Sequence, residues 1–206
     1  MVELSANTYI TKMVKQLGLE DLPCPATPLN PDVKLPKVEG NCLDEELLAI
    51  YRKIVGMIGF PAVTCRPDVA FAHKLLASHL QHPTEVHLEA AIRVVAYLNG
   101  TKTWAMTYGL VASDSFFGTA DAAHNTCEKA KGTTGWAFHL RGGAVCWKSK
   151  TQALVALSSA EAEIIAVDSA VRELRFLCKL LVDFDYDVQY PVLLGQDNEA
   201  AIYIDR

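Results

Sequence analysis

Apolar residues recur at helical spacing through the first hundred positions and at strand spacing only after them. Tyr9, Ile10, Met13, Val14 and Leu17 fall on one side of a helix over residues 5–19, with Gly18 placed to stop it. Asp44 stands before a long apolar stretch and predicts a capped helix to about Phe60. Pro67 occupies the first-turn position of a further helix reaching about Leu80. Thr84 caps another, from Glu85 to Leu98, closed by Asn99-Gly100. Between the first two helices lie Pro23, Pro25, Pro28, Pro31 and Pro36. Prolines remove donors and exclude helix interiors, so residues 21–43 read as an extended surface linker.

Past residue 104 the period changes. Residues 104–120 are rich in β-formers and aromatics. Residues 133–140 alternate, with Trp136, Phe138 and Leu140 against Ala137 and His139. Arg141-Gly142-Gly143 predicts a tight turn, and residues 144–149 a second strand with Val145 and Trp147 on one face. A long helix over 158–183, a short strand from Tyr190 to Leu194 and a helix from Asn198 follow. The order β-β-β-α-β-α predicts an α/β fold with a mixed sheet. The chain then divides into an N-terminal helix and linker (1–43), a helical segment (44–103) and the mixed-sheet segment (104–206). Trp104, Trp136 and Trp147 are expected in the core.

Composition changes this picture little. Of 206 residues, 50% are hydrophobic and 21% charged, which excludes disordered and low-complexity classes. The net charge of −5 by itself points away from nucleic acid. Residues 1–109 carry 10 basic and 11 acidic groups, and residues 110–206 carry 9 and 13, so the acidity sits in the second half. No basic segment followed by an apolar run opens the chain, and no apolar stretch of 18 residues lacks a charge. The six cysteines are scattered without a C-x-x-C pair, which reads as reduced thiols. An intracellular protein, neither secreted nor membrane-spanning, is therefore expected.

The acidic residues carry the candidate chemistry. With 3.6 residues per turn, Glu163 shares a helix face with Val167, Ala170, Leu174 and Leu181. Glu161 falls on the wet face beside Asp168, Arg172 and Lys179. A carboxylate on a core-facing stripe is costly unless paired, protonated or metal-bound, although a helix-end Glu at the core margin stays partly solvated. Asp121 ends the first strand of the sheet and Asp197 ends a later one, where sites form in open α/β sheets. Singly, Asp121 reads as a turn residue and Asp197 as an N-cap. Together with Glu163 they form a set of oxygens suited to hard divalent cations, and two such ions can promote phosphodiester hydrolysis. His124 reads as a general acid or a solvated loop residue, the loop being favoured. His73, His79, His82 and His87 lie near Cys65, yet their spacing matches no closed zinc motif. Lys129, Lys131, Arg141, Lys148 and Lys150 either meet phosphates or solvate the hairpin.

Several motifs resemble the copia/Ty1-type retrotransposon polyprotein, in the region after the reverse transcriptase palm. They are Tyr51-Arg-Lys-Ile-Val-Gly, Thr64-Cys-Arg-Pro-Asp-Val-Ala-Phe-Ala and Arg93-Val-Val-Ala-Tyr-Leu-Asn-Gly-Thr. The stretches Ser113 to Asp121, Gly132-Thr-Thr-Gly-Trp, Val145-Cys-Trp-Lys-Ser-Lys-Thr-Gln, Ala156-Leu-Ser-Ser-Ala-Glu-Ala-Glu and Asp197-Asn-Glu-Ala-Ala-Ile resemble its ribonuclease H domain. The resemblance implies a ribonuclease H-like fold preceded by a connection or thumb-like helical segment. It implies Asp121, Glu163 and Asp197 as ligands of two Mg²⁺, with Mn²⁺ able to substitute, and cleavage of the RNA strand of an RNA–DNA hybrid. Lys148, Lys150, Ser158, Ser159 and Asn198 are the residues expected to meet the nucleic acid. Two bound Mg²⁺ would bring the second half from −4 to neutral, so the net charge no longer opposes such a substrate. The family's paired-Asp polymerase box has no counterpart here, and no polymerase activity is expected. The family's domain continues through a further strand and a helix with a fourth carboxylate. Here the sequence ends at Arg206, and Asp205 is too close to Asp197 to take that place. Ala122-Ala123 also stand where the family tends to carry a bulkier aromatic. The alternative expectation is therefore a non-catalytic retroelement remnant serving as a binding or assembly module. A further one is a partner chain that supplies the last strand and helix.

Overall fold

The computed structural model describes residues 1–31, 35, 42–109, 115–124 and 131–198. Pro36, Ser113, Lys129, Asp205 and the expected helix beyond Asn198 lie outside the described residues. The chain forms two units, Glu3–Met106 and Thr107–Arg206 with Met1–Val2.

The helical unit holds α1 (Asn7–Leu17), α2 (Glu45–Thr64), a 3₁₀ turn (Pro67–Val69), α3 (Ala70–Ala77) and α4 (Glu85–Gly100). Ile10, Met13 and Val14 of α1 share one core with Tyr51, Ile54, Val55 and Ile58 of α2, Leu76 of α3, and Ala91, Val94, Val95 and Leu98 of α4. Gly18 ends α1 in the left-handed conformation (φ 66°), which costs little without a Cβ. Asp44 caps α2 by accepting a hydrogen bond from Leu47 N–H at 2.8 Å. The helix outruns its expected end at Phe60 and passes through Pro61. Proline has no N–H for the Met57 carbonyl four residues back. The Tyr9 hydroxyl donates to that carbonyl at 3.0 Å instead, so α1 meets the demand that Pro61 leaves. By length and composition α2 could cross a membrane. One face of it packs in the core of its unit, with the Tyr51 hydroxyl donating to Leu76 O at 2.7 Å.

Gly100 closes α4 as the sequence suggested, though not as a left-handed cap. It ends α4 in helical conformation, and a Cβ there would collide with the Cys24 side chain. Its smallness serves the close approach of the proline-rich segment, which α4 also holds through Asn99 Nδ2 to Glu20 O at 3.1 Å. Trp104 departs from its expected core position: it is 56% exposed, set edge-on to Tyr97 with the Arg66 guanidinium over its ring.

Thr84 caps α4 in a reciprocal box whose third-turn-residue partner is His87. His87 Nδ1 accepts from Thr84 N–H at 3.1 Å, which requires a neutral imidazole. Burial, with the His79 charge second, pushes His87 down to about 4. The unfolded imidazole protonates near pH 6.5. Between that pH and about 4 the unfolded state binds more protons, so stability falls as the pH drops through this window. The expected loss is about 3 kcal/mol, read by urea unfolding at stepped pH. His87→Gln keeps a capping acceptor without titrating and should flatten the slope.

The second unit holds a sheet in the order β5-β4-β3-β6. Its strands are β3 (Phe116–Ala123), β4 (Thr133–Leu140), β5 (Gly143–Thr151) and β6 (Leu193–Gly195); β1 (Val2–Leu4) and β2 (Met106–Tyr108) pair separately. The β3–β4 and β4–β5 pairs are antiparallel and β3–β6 is parallel. Arg141 (φ 52°) and Gly142 (φ 85°) make the two-residue hairpin turn. The long helix α5 (Ser159–Asp183) covers one face. There Phe116, Ala120, Trp136 and Phe138 meet Ala170, Leu177 and Cys178, with Val167, Leu174 and Leu181 at the margin. A register shift at Phe138/His139 puts Cys146 opposite Phe138, facing this core. Trp147 pairs with Ala137 and lies outside that core, contrary to the sequence expectation. Four strands in this order under one crossing helix form a ribonuclease H-like mixed sheet preceded by helices.

Candidate metal centre

The parallel pairing of β3 with β6 explains how two distant aspartates meet. Their register runs Phe117 to Leu193, Gly118 to Leu194 and Thr119 to Gly195. Continued by two residues, it sets Asp121 level with Asp197. The third acid comes from α5, whose phase is fixed by its start. Ser158 Oγ accepts from Glu161 N–H at 3.1 Å, and the Glu161 carboxylate accepts from Leu157 N–H at 2.7 Å. Glu161 is thus occupied at the helix start and exposed, whereas Glu163, two residues on, is 6% exposed. Carboxylate oxygens of Asp121, Glu163 and Asp197 all lie within 4.8 Å of one another.

Burial pushes the Glu163 carboxyl up. A hydrogen bond from Gln196 opposes the rise, and the charges of Asp121 and Asp197 add to it. Gln196 Nε2 donates to Glu163 Oε2 at 3.2 Å. The Ala122 backbone N–H also donates to Glu163. Among the described residues β6 pairs with β3 as far as Thr119. Among the described residues, no lysine or arginine forms a salt bridge with any of the three acids. Three converging hard oxygen donors without a counter-cation fit a divalent ion of the Mg²⁺ type.

The other candidates are dispersed. Among the described residues no histidine–cysteine group could hold a metal. The rings of His79 and His87 lie 4.2 Å apart, tilted by 41°, and His87 Nδ1 is taken by its cap. His124 Nε2 lies 3.0 Å from the Ala156 carbonyl, which can only accept, so His124 is a tether between loops. Lys148 and Lys150 are exposed on β5, level with Trp136 and Thr134 of β4 and two strands from Asp121. The Ser158 hydroxyl caps α5, Ser159 is exposed at its first turn, and Asn198 follows Asp197. Sequence reasoning missed Gln196 and Gln152. Adjacency to Asp197 marks the first; the second closes the stretch Val145-Cys-Trp-Lys-Ser-Lys-Thr-Gln, but its partners come from β4 and α5.

Over 205 residues the chain is 30% identical to the retrovirus-related Pol polyprotein from transposon RE1 of Arabidopsis thaliana, covering 98% of this chain and 14% of that one. It is 30% identical over 211 residues to the retrovirus-related Pol polyprotein from transposon TNT 1-94 of Nicotiana tabacum, covering 98% and 16%. The chain therefore spans about a seventh of the length of these polyproteins. It is also 36% identical over 128 residues to secreted RxLR effector protein 161 of Plasmopara viticola, covering 62% of this chain and 90% of that one. No protein-family model matches the chain, and no solved structure matches it. With the motif order, the near-complete alignment and the mixed sheet in agreement, the chain is homologous to one segment of the copia/Ty1-type retrotransposon Pol polyproteins and shares their origin.

Proposed function

We propose that residues 107–206 work as the ribonuclease H segment of such a polyprotein, cutting the RNA strand of an RNA–DNA hybrid. The observation that carries this reading is the convergence of Asp121, Glu163 and Asp197 within 4.8 Å, one of them buried and none salt-bridged among the described residues. These acids would hold two Mg²⁺ ions, with Mn²⁺ able to replace them. Bound there, the ions supply an activated water and stabilise the leaving oxygen. The chain's own part is to hold three carboxylates against their repulsion. Gln196 and the Ala122 N–H orient Glu163, which is buried from solvent. Lys148 and Lys150 would meet hybrid phosphates, with Ser158, Ser159 and Asn198 nearer the acids. Replacing both lysines by alanine should lower the salt slope of hybrid binding by about one per lost contact, measured by fluorescence anisotropy.

The direct test is cleavage of a labelled RNA–DNA hybrid by the full chain with Mg²⁺, with Mn²⁺ and with EDTA. Metal-dependent cleavage supports the reading, and none at high protein concentration overturns it. A second reading, a non-catalytic module of the same origin, is favoured by the relative named a secreted effector, 90% of which this chain covers. The same assay separates the two.

A further inference from the structure

We infer that Gln152 is a positioning residue for Glu163, and that Gly132 lacks a side chain so that Gln152 can take that place. Gln152 directly follows β5 and is 2% exposed. Its backbone N–H donates to the Gly132 carbonyl at 2.8 Å. Its side-chain nitrogen donates to Thr134 Oγ1 at 3.1 Å and to the Ala162 carbonyl at 2.8 Å. A carbonyl oxygen only accepts, so the group facing Ala162 is the NH₂, and the amide orientation is fixed.

These bonds close a ring around the candidate centre. Ala162 precedes Glu163 in the first turns of α5. Thr134 pairs across the sheet with Ala122, neighbour of Asp121. The Ala122 N–H returns to the Glu163 carboxylate. The α5 side chains buried beside this point are Ala162 and Ala166. Alanines set the distance of a helix from a sheet but grip its rotation weakly. The Gln152 amide supplies that rotational hold.

Packing alone does not account for Gln152. Among the described residues its buried Oε1 has no hydrogen-bond partner, a cost that leucine or methionine would avoid. Gly132 shows the same constraint from the other side. A Cβ there would lie 2.5 Å from Gln152 Oε1 and 3.0 Å from the Ala123 carbonyl. Two motifs without a role of their own, Gly132-Thr-Thr-Gly-Trp and Thr151-Gln152 at the end of β5, thereby join one device.

The consequence for metal binding rests on the reading under Proposed function; the positioning does not. The test is amide hydrogen exchange on the metal-free full chain, followed by Mn²⁺ titration. Gln152→Met keeps the volume and removes the amide. Exchange at Ala122 should rise at least about tenfold, with Phe138 in the same sheet unchanged. Gly132→Ala, which displaces the amide without altering it, should act in the same direction. Unchanged Ala122 exchange in both variants, or a rise matched at Phe138, would overturn the inference. Mn²⁺ affinity should fall about tenfold in Gln152→Met, as for other residues that orient ligands. Equal affinity in wild type and variant also overturns it. A wild type that binds no Mn²⁺ removes the metal centre instead, and Ala122 exchange still decides the positioning.

Discussion

Asp121→Asn is expected to lower Mg²⁺-dependent cleavage of an RNA–DNA hybrid by about 10³-fold, measured as single-turnover rates with the full chain. The amide keeps the shape and one oxygen donor but removes the charge. Loss of charge stabilisation worth several kcal/mol corresponds to about three orders of magnitude in rate. The same substitution should raise the stability of the metal-free chain, because Asp121 adds to the rise of the Glu163 carboxyl. Unfolding in urea with EDTA reads that sign. A residue whose loss stabilises the fold and abolishes turnover is held in place for function. Cleavage that survives Asp121→Asn would remove Asp121 from the centre.

Arg66→Ala should destabilise the helical unit by about 3 kcal/mol, the low end for breaking a buried ion pair, since Asp68 is partly solvated. The Arg66 side chain is 3% exposed. It donates to Asp68 at 2.7 Å, to the Thr101 carbonyl at 3.1 Å and to Thr101 Oγ1 at 2.7 Å. Tyr97 Oη donates to the same carboxylate at 2.9 Å. One guanidinium thus ties the start of the 3₁₀ turn to the end of α4, where carbonyls lack helical partners. Arg66→Lys should recover less than half of the loss, because an ammonium cannot serve the carboxylate and both Thr101 oxygens in one plane. Urea midpoints of the three proteins check this, and equal midpoints would dissolve the network as a stabilising element.

The mixed sheet and the choice between Glu161 and Glu163 were legible from periodicity, because each depends on which side of one element a residue takes. The α2 end was not: Pro61 argues for a break near Phe60, and only Tyr9, 48 residues away along the chain, relieves it. Trp104 was misplaced because aromatic character says nothing of whether a later segment covers the ring. Trp147 was misplaced by a register shift at Phe138/His139, which no local pattern announces. Gly100 does end α4, but that its smallness also answers to Cys24 was not legible.

From the sequence alone followed most of the described elements, their order and the choice of three candidate carboxylates, since side-chain period, capping chemistry and strand ends are local properties. The single helix expected from Pro67 to Leu80 is a 3₁₀ turn followed by α3, and the β1–β2 pair was not foreseen. The sequence also carried the family resemblance, because motif order survives in sequence even where overall identity has fallen to 30%. Only the tertiary structure decided that the acids meet. That follows from the parallel register of β6 on β3 and from the azimuth of α5, neither of which a single segment encodes. It also revealed Gln196 and Gln152, whose meaning lies in partners 33 and 10 residues away along the chain. Chemistry at a point in space needs groups from several elements, and their meeting is a property of packing.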